Sequence, residues 1–233
     1  MDKGKVYAGL AIMVGLIVLG CMLPRAVKEF RSFERTVSVK GLCEKEVNAD
    51  KAIWPLSYKV MSDDLTDLYS QMEKSNDAIL TFLKAGGIAE DEITVNVPSI
   101  SDKYAQEYGD NDRRFRYVAS TTITVCTGNV DKVLQLMRDQ ISLTKSGISF
   151  YSDWETRSEF SFEGLNDIKP EMIEEATKNA RESALKFAKD SDSKLGKIKD
   201  ASQGTFSIEN RDSNTPHIKK VRVVTYVTYY LKR

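Results

Sequence analysis

Apolar and polar positions fall into three regimes along the chain. From Val6 to Leu23, eighteen consecutive residues carry no charge. As a helix rising about 1.5 Å per residue they would extend roughly 27 Å, close to the hydrocarbon thickness of a bilayer. Lys3 and Lys5 precede the run; Pro24, Arg25, Lys28 and Arg31 follow it in a short basic stretch. From Thr36 onward the pattern alternates between period two and period 3.6, as in a folded domain.

In that domain Thr36 to Val47 alternates as a strand, with Val37, Val39, Gly41 and Cys43 on one face and Ser38, Lys40, Glu44 and Glu46 mostly on the other. Asn48 to Lys51 is turn-like, and Ala52 to Met61 predicts a second strand, so the pair reads as a hairpin. Ser62 or Asp63 caps a helix with the stripe Leu65, Leu68, Met72, Ile79 and Leu83, which Gly86-Gly87 ends. Ile93 to Ile100 and Phe115 to Thr127 predict two more strands, separated by a polar loop from Ser101 to Arg114. Asn129 caps a short helix carrying Val130, Val133, Leu134, Met137 and Ile141. Ile148 to Phe162 is a strand or a bent hairpin arm. The longest helix runs from about Lys169 to Leu195, acidic at its start and basic at its end, with Met172, Ala176, Ala180, Ala184, Phe187 and Leu195 facing inward. Lys197 to Asn210 and Ile218 to Leu231 close the chain as strands. About three helices packed on seven or so mostly antiparallel strands make an α+β domain.

The apolar run changes where that domain works. It predicts an N-terminal transmembrane helix through Val6, Leu10, Ile12, Val14, Leu16, Ile17, Val18 and Leu19. Residues 1–24 are then an anchor or signal, 25–35 a basic stalk and 36–233 the exported domain. Three forms of the leader stay open. An uncleaved anchor fits the lack of an Ala-x-Ala site before Pro24; Val18-Leu19-Gly20-Cys21 resembles a lipobox with Cys21 as the lipidated residue; an ordinary cleaved signal is the third. Basic residues flank the run on both sides, so charge alone leaves the orientation undecided. A segment so near the N-terminus acts as an export signal, which puts about 200 residues outside the cytoplasm.

Composition removes several function classes. Thirty-four Lys and Arg balance thirty-four Asp and Glu, which argues against a nucleic-acid partner held by a global positive field. Three cysteines and one histidine leave no disulfide framework and no Cys/His zinc site. His217 stands in a turn after Asn214-Thr215-Pro216 with no recognisable catalytic partner in the sequence around it. Cys43 and Cys126 either pair across strands or remain two thiols. The runs Arg113 to Tyr117 and Lys219 to Arg222 read as an acidic-lipid or nucleic-acid patch, or as guards on edge strands; the zero net charge favours the guards. Glu90-Asp91-Glu92 and Asp63-Asp64 read as turn and helix-start charge. No phosphate-cradling glycine loop, HExxH or GxSxG is present. The chain is therefore expected to have no catalytic residues, no cofactor and no metal.

Several stretches in order resemble the SIMPL domain family of bacterial cell-envelope proteins, which has eukaryotic relatives in signalling. They are Thr36-Val37-Ser38-Val39-Lys40-Gly41, Glu46-Val47-Asn48-Ala49-Asp50-Lys51-Ala52, Gly164 to Pro170, Ala176 to Arg181, Ala188-Lys189-Asp190 and Leu195-Gly196-Lys197-Ile198. The resemblance covers nearly all of residues 36–233. It implies an exported α+β domain tethered by its N-terminus, with loose links to stress tolerance, surface antigens and self-association, and it carries over no catalytic residues.

The expectation is thus a non-enzymatic protein of the bacterial inner membrane with its domain in the periplasm, or a lipoprotein held through Cys21. Its partners are the membrane, further copies of itself and other envelope proteins. Val224, Tyr226, Thr228 and Tyr230, on the second face of the last strand, form the candidate contact surface, unless that strand is buried on both sides. The alternative is a periplasmic binding module for a small ligand or cell-wall fragment, using the Ser101 to Arg114 loop with Tyr104 and Tyr108. An unrecognised hydrolase or redox protein is the third reading.

Overall fold

Two alternating strands that meet at Asn48 to Lys51 begin the folded part of the chain. The computed structural model describes residues 9, 12–23, 35–105, 114–154 and 156–232. Residues 12–23 are helical, and their apolar side chains are exposed on every side: Ile12, Val14, Leu16, Ile17, Val18 and Leu19 all keep half or more of their surface. Twelve helical residues extend only about 18 Å. Among the described residues no helix is long and apolar enough to cross a membrane. The predicted transmembrane helix is therefore not found among them; Val6 and Leu10, which would begin it, lie outside the described residues, as do Pro24 and residues 25–34 of the stalk.

Beyond that stretch the described residues hold four α-helices and ten strands, an α+β fold whose paired strands are mostly antiparallel. They divide into two compact units, residues 1–45, 168–207 and 221–233 against 46–167 and 208–220.

The second of these units is built on β2 (Lys51–Ser62) and β5 (Tyr117–Thr127), paired antiparallel along their whole lengths. Trp54, Leu56, Tyr58 and Val60 alternate inward on β2, as Ala119, Ile123 and Val125 do on β5. Helix α1 (Leu65–Ala85) lays Leu68, Met72, Ile79 and Leu83 on that face. Asp64 is its N-cap, accepting from the amides of Thr66 and Asp67, one residue beyond the expected caps. The chain leaves α1 through Gly87 at φ +81, the left-handed backbone that favours glycine. Helices α2 (Val130–Asp139) and α3 (Ile141–Lys145) add Val133, Leu136 and Leu143 to the same core. The buried Tyr58 hydroxyl donates to the Asn76 side chain at 2.8 Å and to the Met72 carbonyl at 3.1 Å, and burial pushes its pKa up to about 12.

The first unit packs one helix on a sheet ordered β1 (Thr36–Asn48), β10 (Ile218–Lys232) and β8 (Lys194–Gln203); the short strand β9 (Ser207–Asn210) falls almost wholly in the other unit. Helix α4 (Leu165–Asp190) buries Met172, Ala176, Ala180, Ala184 and Ala188, an unbroken i, i+4 stripe that is alanine from Ala176 onward. That stripe lets the helix come very close to β1: a Cβ on Gly41 would stand 1.8 Å from the Ala176 carbonyl oxygen. Val39, Val227 and Tyr229 complete the core from the sheet.

Several expectations shift. Leu65 and Ile141, expected on buried stripes, are exposed, Ile141 at the start of α3, and the strand expected over Lys197 to Asn210 is β8 and β9. Helix α4 starts at Leu165 and ends at Asp190, so Leu195 belongs to β8 and Phe187 is 60% exposed. The inward row follows the alanines, and Phe187 sits one residue off it. The strand expected over Ile93 to Ile100 is two short strands, β3 (Ile93–Val95) and β4 (Ser99–Asp102), both on β5. Their registers against β5 differ by one residue, a bulge at Val97-Pro98, where proline has no N–H to give the ladder. The bent arm resolves into β6 (Phe150–Tyr151) and β7 (Glu159–Ser161), which flank a turn and both pair with β2.

Candidate functional site

Two surfaces collect side chains that the fold does not use up. The first is the outer face of β10. Along this strand Val221, Val223, Thr225, Val227 and Tyr229 are buried, while Arg222 and Tyr226 are exposed and Val224, Thr228 and Tyr230 are half-buried. The four expected contact residues therefore share one face, and that face is not buried. Its neighbours add hydroxyls and cations: the Ser38 and Thr228 hydroxyls meet at 2.9 Å, the Lys40 ammonium lies 5.1 Å from the centre of the Tyr226 ring, and that of Lys199 lies 5.8 Å from the Tyr230 ring. Glu44 pairs with Arg222 at 3.6 Å.

The second surface is a cleft of about 400 Å³ lined by Asn48 and Ala49 from the β1–β2 turn, Gly128 to Asp131 and Leu134 from the start of α2, and His217 just before β10. The Ala49 amide donates to the His217 carbonyl at 2.8 Å, and the imidazole packs edge-on against Phe160 with ring centres 6.1 Å apart. Asn129 accepts from the Lys132 amide through its side-chain oxygen, which starts α2. Nothing in the local sequence pointed here, because the lining comes from three distant segments.

A model of the SIMPL family, described as a protein of unknown function (DUF541), matches residues 37–228. The chain belongs to the SIMPL family. No curated protein matches it.

Elsewhere in this SIMPL domain the sequence candidates are held in structural contacts. The Cys43 thiol is buried and donates to a Glu175 carboxylate oxygen at 3.2 Å. Burial first, and that carboxylate second, push its pKa up to about 11, which suppresses the thiolate. Cys43, Cys126 and Cys21 are all free thiols; Cys126 and Cys21 are exposed. Arg116 forks onto Asp102 at 3.0 Å, with its guanidinium 4.9 Å from the Tyr117 ring centre, and its amide donates to Asp63. Lys219 is buried and donates to Asn210. Arg116 and Lys219 thus spend their charges within the fold, but the strands they stand on are not edges: β5 is paired by β2 on one side and by β3 and β4 on the other, and β10 lies between β1 and β8, so the guard reading does not hold. Glu92 accepts from the Thr127 hydroxyl and the Ala89 amide, which holds its carboxyl below the usual range. Of the loop expected to bind a ligand, Tyr104 is exposed; Tyr108 lies outside the described residues. Among the described residues no group of three or more His, Cys, Asp or Glu side chains is placed to hold a metal ion.

Proposed function

We propose that this SIMPL protein is a non-enzymatic component of the bacterial envelope, held to the inner membrane by its N-terminal apolar segment and working in the periplasm by contact with further copies of itself or with other envelope proteins. A role in stress tolerance follows from the same family reading. The observation that carries it is the outer face of β10: exposed Tyr226 and half-buried Val224, Thr228 and Tyr230 share that face beside the cationic Lys40 and Lys199. Aromatic side chains on an accessible sheet supply large contact area at low entropic cost. The exposed apolar side chains of residues 12–23 support the membrane attachment, since nine large hydrophobic side chains there stand in contact with solvent. Attachment through lipidated Cys21 is the other form of the same tether.

The test is the mass of the full-length protein extracted in mild detergent, read by light scattering across a concentration series. Assembly beyond one copy, lost in Tyr226→Glu and in Val224→Glu, is the expected result. A monomer at every concentration, or variants that assemble like the parent, rejects this surface. Release of the protein into the soluble fraction, leader intact, rejects the tether.

A second reading, a binding module for a small ligand, is favoured by the cleft around His217 rather than by the Ser101 to Arg114 loop.

A further inference from the structure

The cleft gathers more hydrogen-bonding capacity than the protein uses. Among the described residues, the Asn48 amide, the Asp131 carboxylate and the His217 imidazole make no hydrogen bond or ion pair with another side chain or with the backbone, although all three line the same space. The Asn129 side chain spends its oxygen on the Lys132 amide and keeps its NH₂. Beneath these groups, Ala49 and Val130 are almost fully buried and, with Leu134, make an apolar floor. The volume falls in the range of small-molecule sites, and the lining, more polar than in most of them, suits a polar ligand.

Charge narrows the ligand. Asp131 is the charged residue among those lining the cleft, and the nearby Lys132 ammonium is turned away onto the Gly87 carbonyl at 2.9 Å. A phosphate or carboxylate ligand would face Asp131 with no Lys or Arg among the lining residues to offset it. What fits is an uncharged molecule that offers several hydroxyls as both donors and acceptors and one C–H face. Two amides, a carboxylate and an imidazole match adjacent hydroxyl pairs, and the floor meets the C–H face. The site is also preorganised. The Ala49 amide fixes the His217 backbone, Phe160 holds the imidazole edge-on, and Val133 donates to the Asn129 carbonyl at 3.3 Å.

We propose that the cleft between Asn48, Asn129, Asp131 and His217 binds a saccharide unit. This rests on the second functional reading and names its ligand class. The experiment is saturation-transfer NMR on the full-length protein in detergent, with the β-1,4-linked trisaccharide of N-acetylglucosamine at millimolar concentration as the probe. Transfer to the sugar protons is expected, weakened by about tenfold in affinity in Asn48→Ala and in Asp131→Asn, since each loses a bond worth about 1–2 kcal/mol. Leu134→Trp, which fills the floor, should abolish it, and circular dichroism checks that each variant stays folded. Absence of transfer with the parent protein overturns the saccharide assignment. Equal transfer in all three variants overturns this cleft as the site while leaving a sugar-binding module intact, so the two failures are told apart.

Discussion

Replacing Gly41 with alanine adds one methyl group where, among the described glycines, a Cβ has least room. The new Cβ would lie 1.8 Å from the Ala176 carbonyl oxygen, 2.6 Å from the Ala180 nitrogen and 2.8 Å from the Ala180 Cβ. Carbon–oxygen contacts become comfortable near about 3.3 Å, so α4 must retreat from β1 by about 1.5 Å along that line. A gap of even 0.5–1 Å forfeits roughly a quarter to a half of the dispersion energy across it. The retreat would also stretch the Asn179 bond to the Leu42 carbonyl, now 2.9 Å, and the Cys43 bond to Glu175. Overpacking costs about 1–3 kcal/mol where side chains can yield; here two of the three nearest atoms are backbone, which puts the expected loss at about 3 kcal/mol or more. Against a typical total of about 5–15 kcal/mol that is a large fraction. Trp54 and Trp154 both lie in the other unit, so tryptophan fluorescence is the wrong probe. Alkylation of the buried Cys43 thiol through a urea series, with circular dichroism beside it, reports on the right packing. Gly128→Ala serves as the control, because its nearest new contact is an ordinary 3.5 Å to the Asp50 carbonyl. Adding Ala180→Gly should not rescue Gly41→Ala, since the worst contact is with a carbonyl that Ala180→Gly leaves in place. A Gly41→Ala loss below about 1 kcal/mol, or full rescue by Ala180→Gly, would refute the packing argument.

Iodoacetamide on the native protein at neutral pH should label Cys126 readily and Cys43 hardly at all, because Cys43 is buried with its pKa pushed up to about 11; equal labelling, followed by mass spectrometry, would contradict that burial. Asp50→Ala should lower stability by about 1–3 kcal/mol in a urea titration followed by Trp54 fluorescence, since the Asp50 carboxylate accepts from the Glu163 and Gly164 amides at 2.8 and 2.7 Å. Glu92 and Asp102 have carboxyls held below their usual range in the folded state, by the Thr127 hydroxyl and by Arg116 respectively. Their contribution is present above the unfolded carboxylate pKa and is lost as the pH falls through the folded one, so thermal midpoints should drop on acidification below about pH 4 and drop less steeply in Glu92→Gln.

Most of the fold was legible because its elements each bury one face. The alternation from Ala52 to Met61 reappears as a buried row, and so does the helical stripe from Leu68 through Met72, Ile79 and Leu83, though Leu65, expected at its head, is exposed; a period of 2 or 3.6 leaves little freedom about which side turns inward. What failed did so where local pattern and packing diverge. The sequence pattern puts Phe187 on the inward stripe, yet the helix faces its sheet with the row Ala176, Ala180, Ala184 and Ala188, and Phe187 lies one residue off that row and is exposed. Pro98 carried a visible signal for the break between β3 and β4, since a proline within an apolar run demotes a central strand. The two-unit division had no local signal. Strands β1 and β10 and helix α4 each run from one unit into the other, so the boundary falls inside regular elements rather than in a linker.

The same reasoning explains why the two candidate surfaces differed in legibility. A sheet face is written in alternate residues of a single strand, so Val224, Tyr226, Thr228 and Tyr230 could be picked out together from Ile218 to Leu231 alone. A cleft is written in tertiary closure. Asn48, Asn129 and His217 are separated by eighty or more residues, and each has a local explanation as turn, helix cap and loop. Judged one at a time, His217 looks idle, because it has no catalytic neighbour in the sequence. Judged with the groups that the fold brings beside it, it is one of several polar side chains facing a common space with hydrogen-bonding capacity left over. Its idleness in the sequence and its availability in the structure are one fact: a side chain that folding does not consume remains free to meet a ligand.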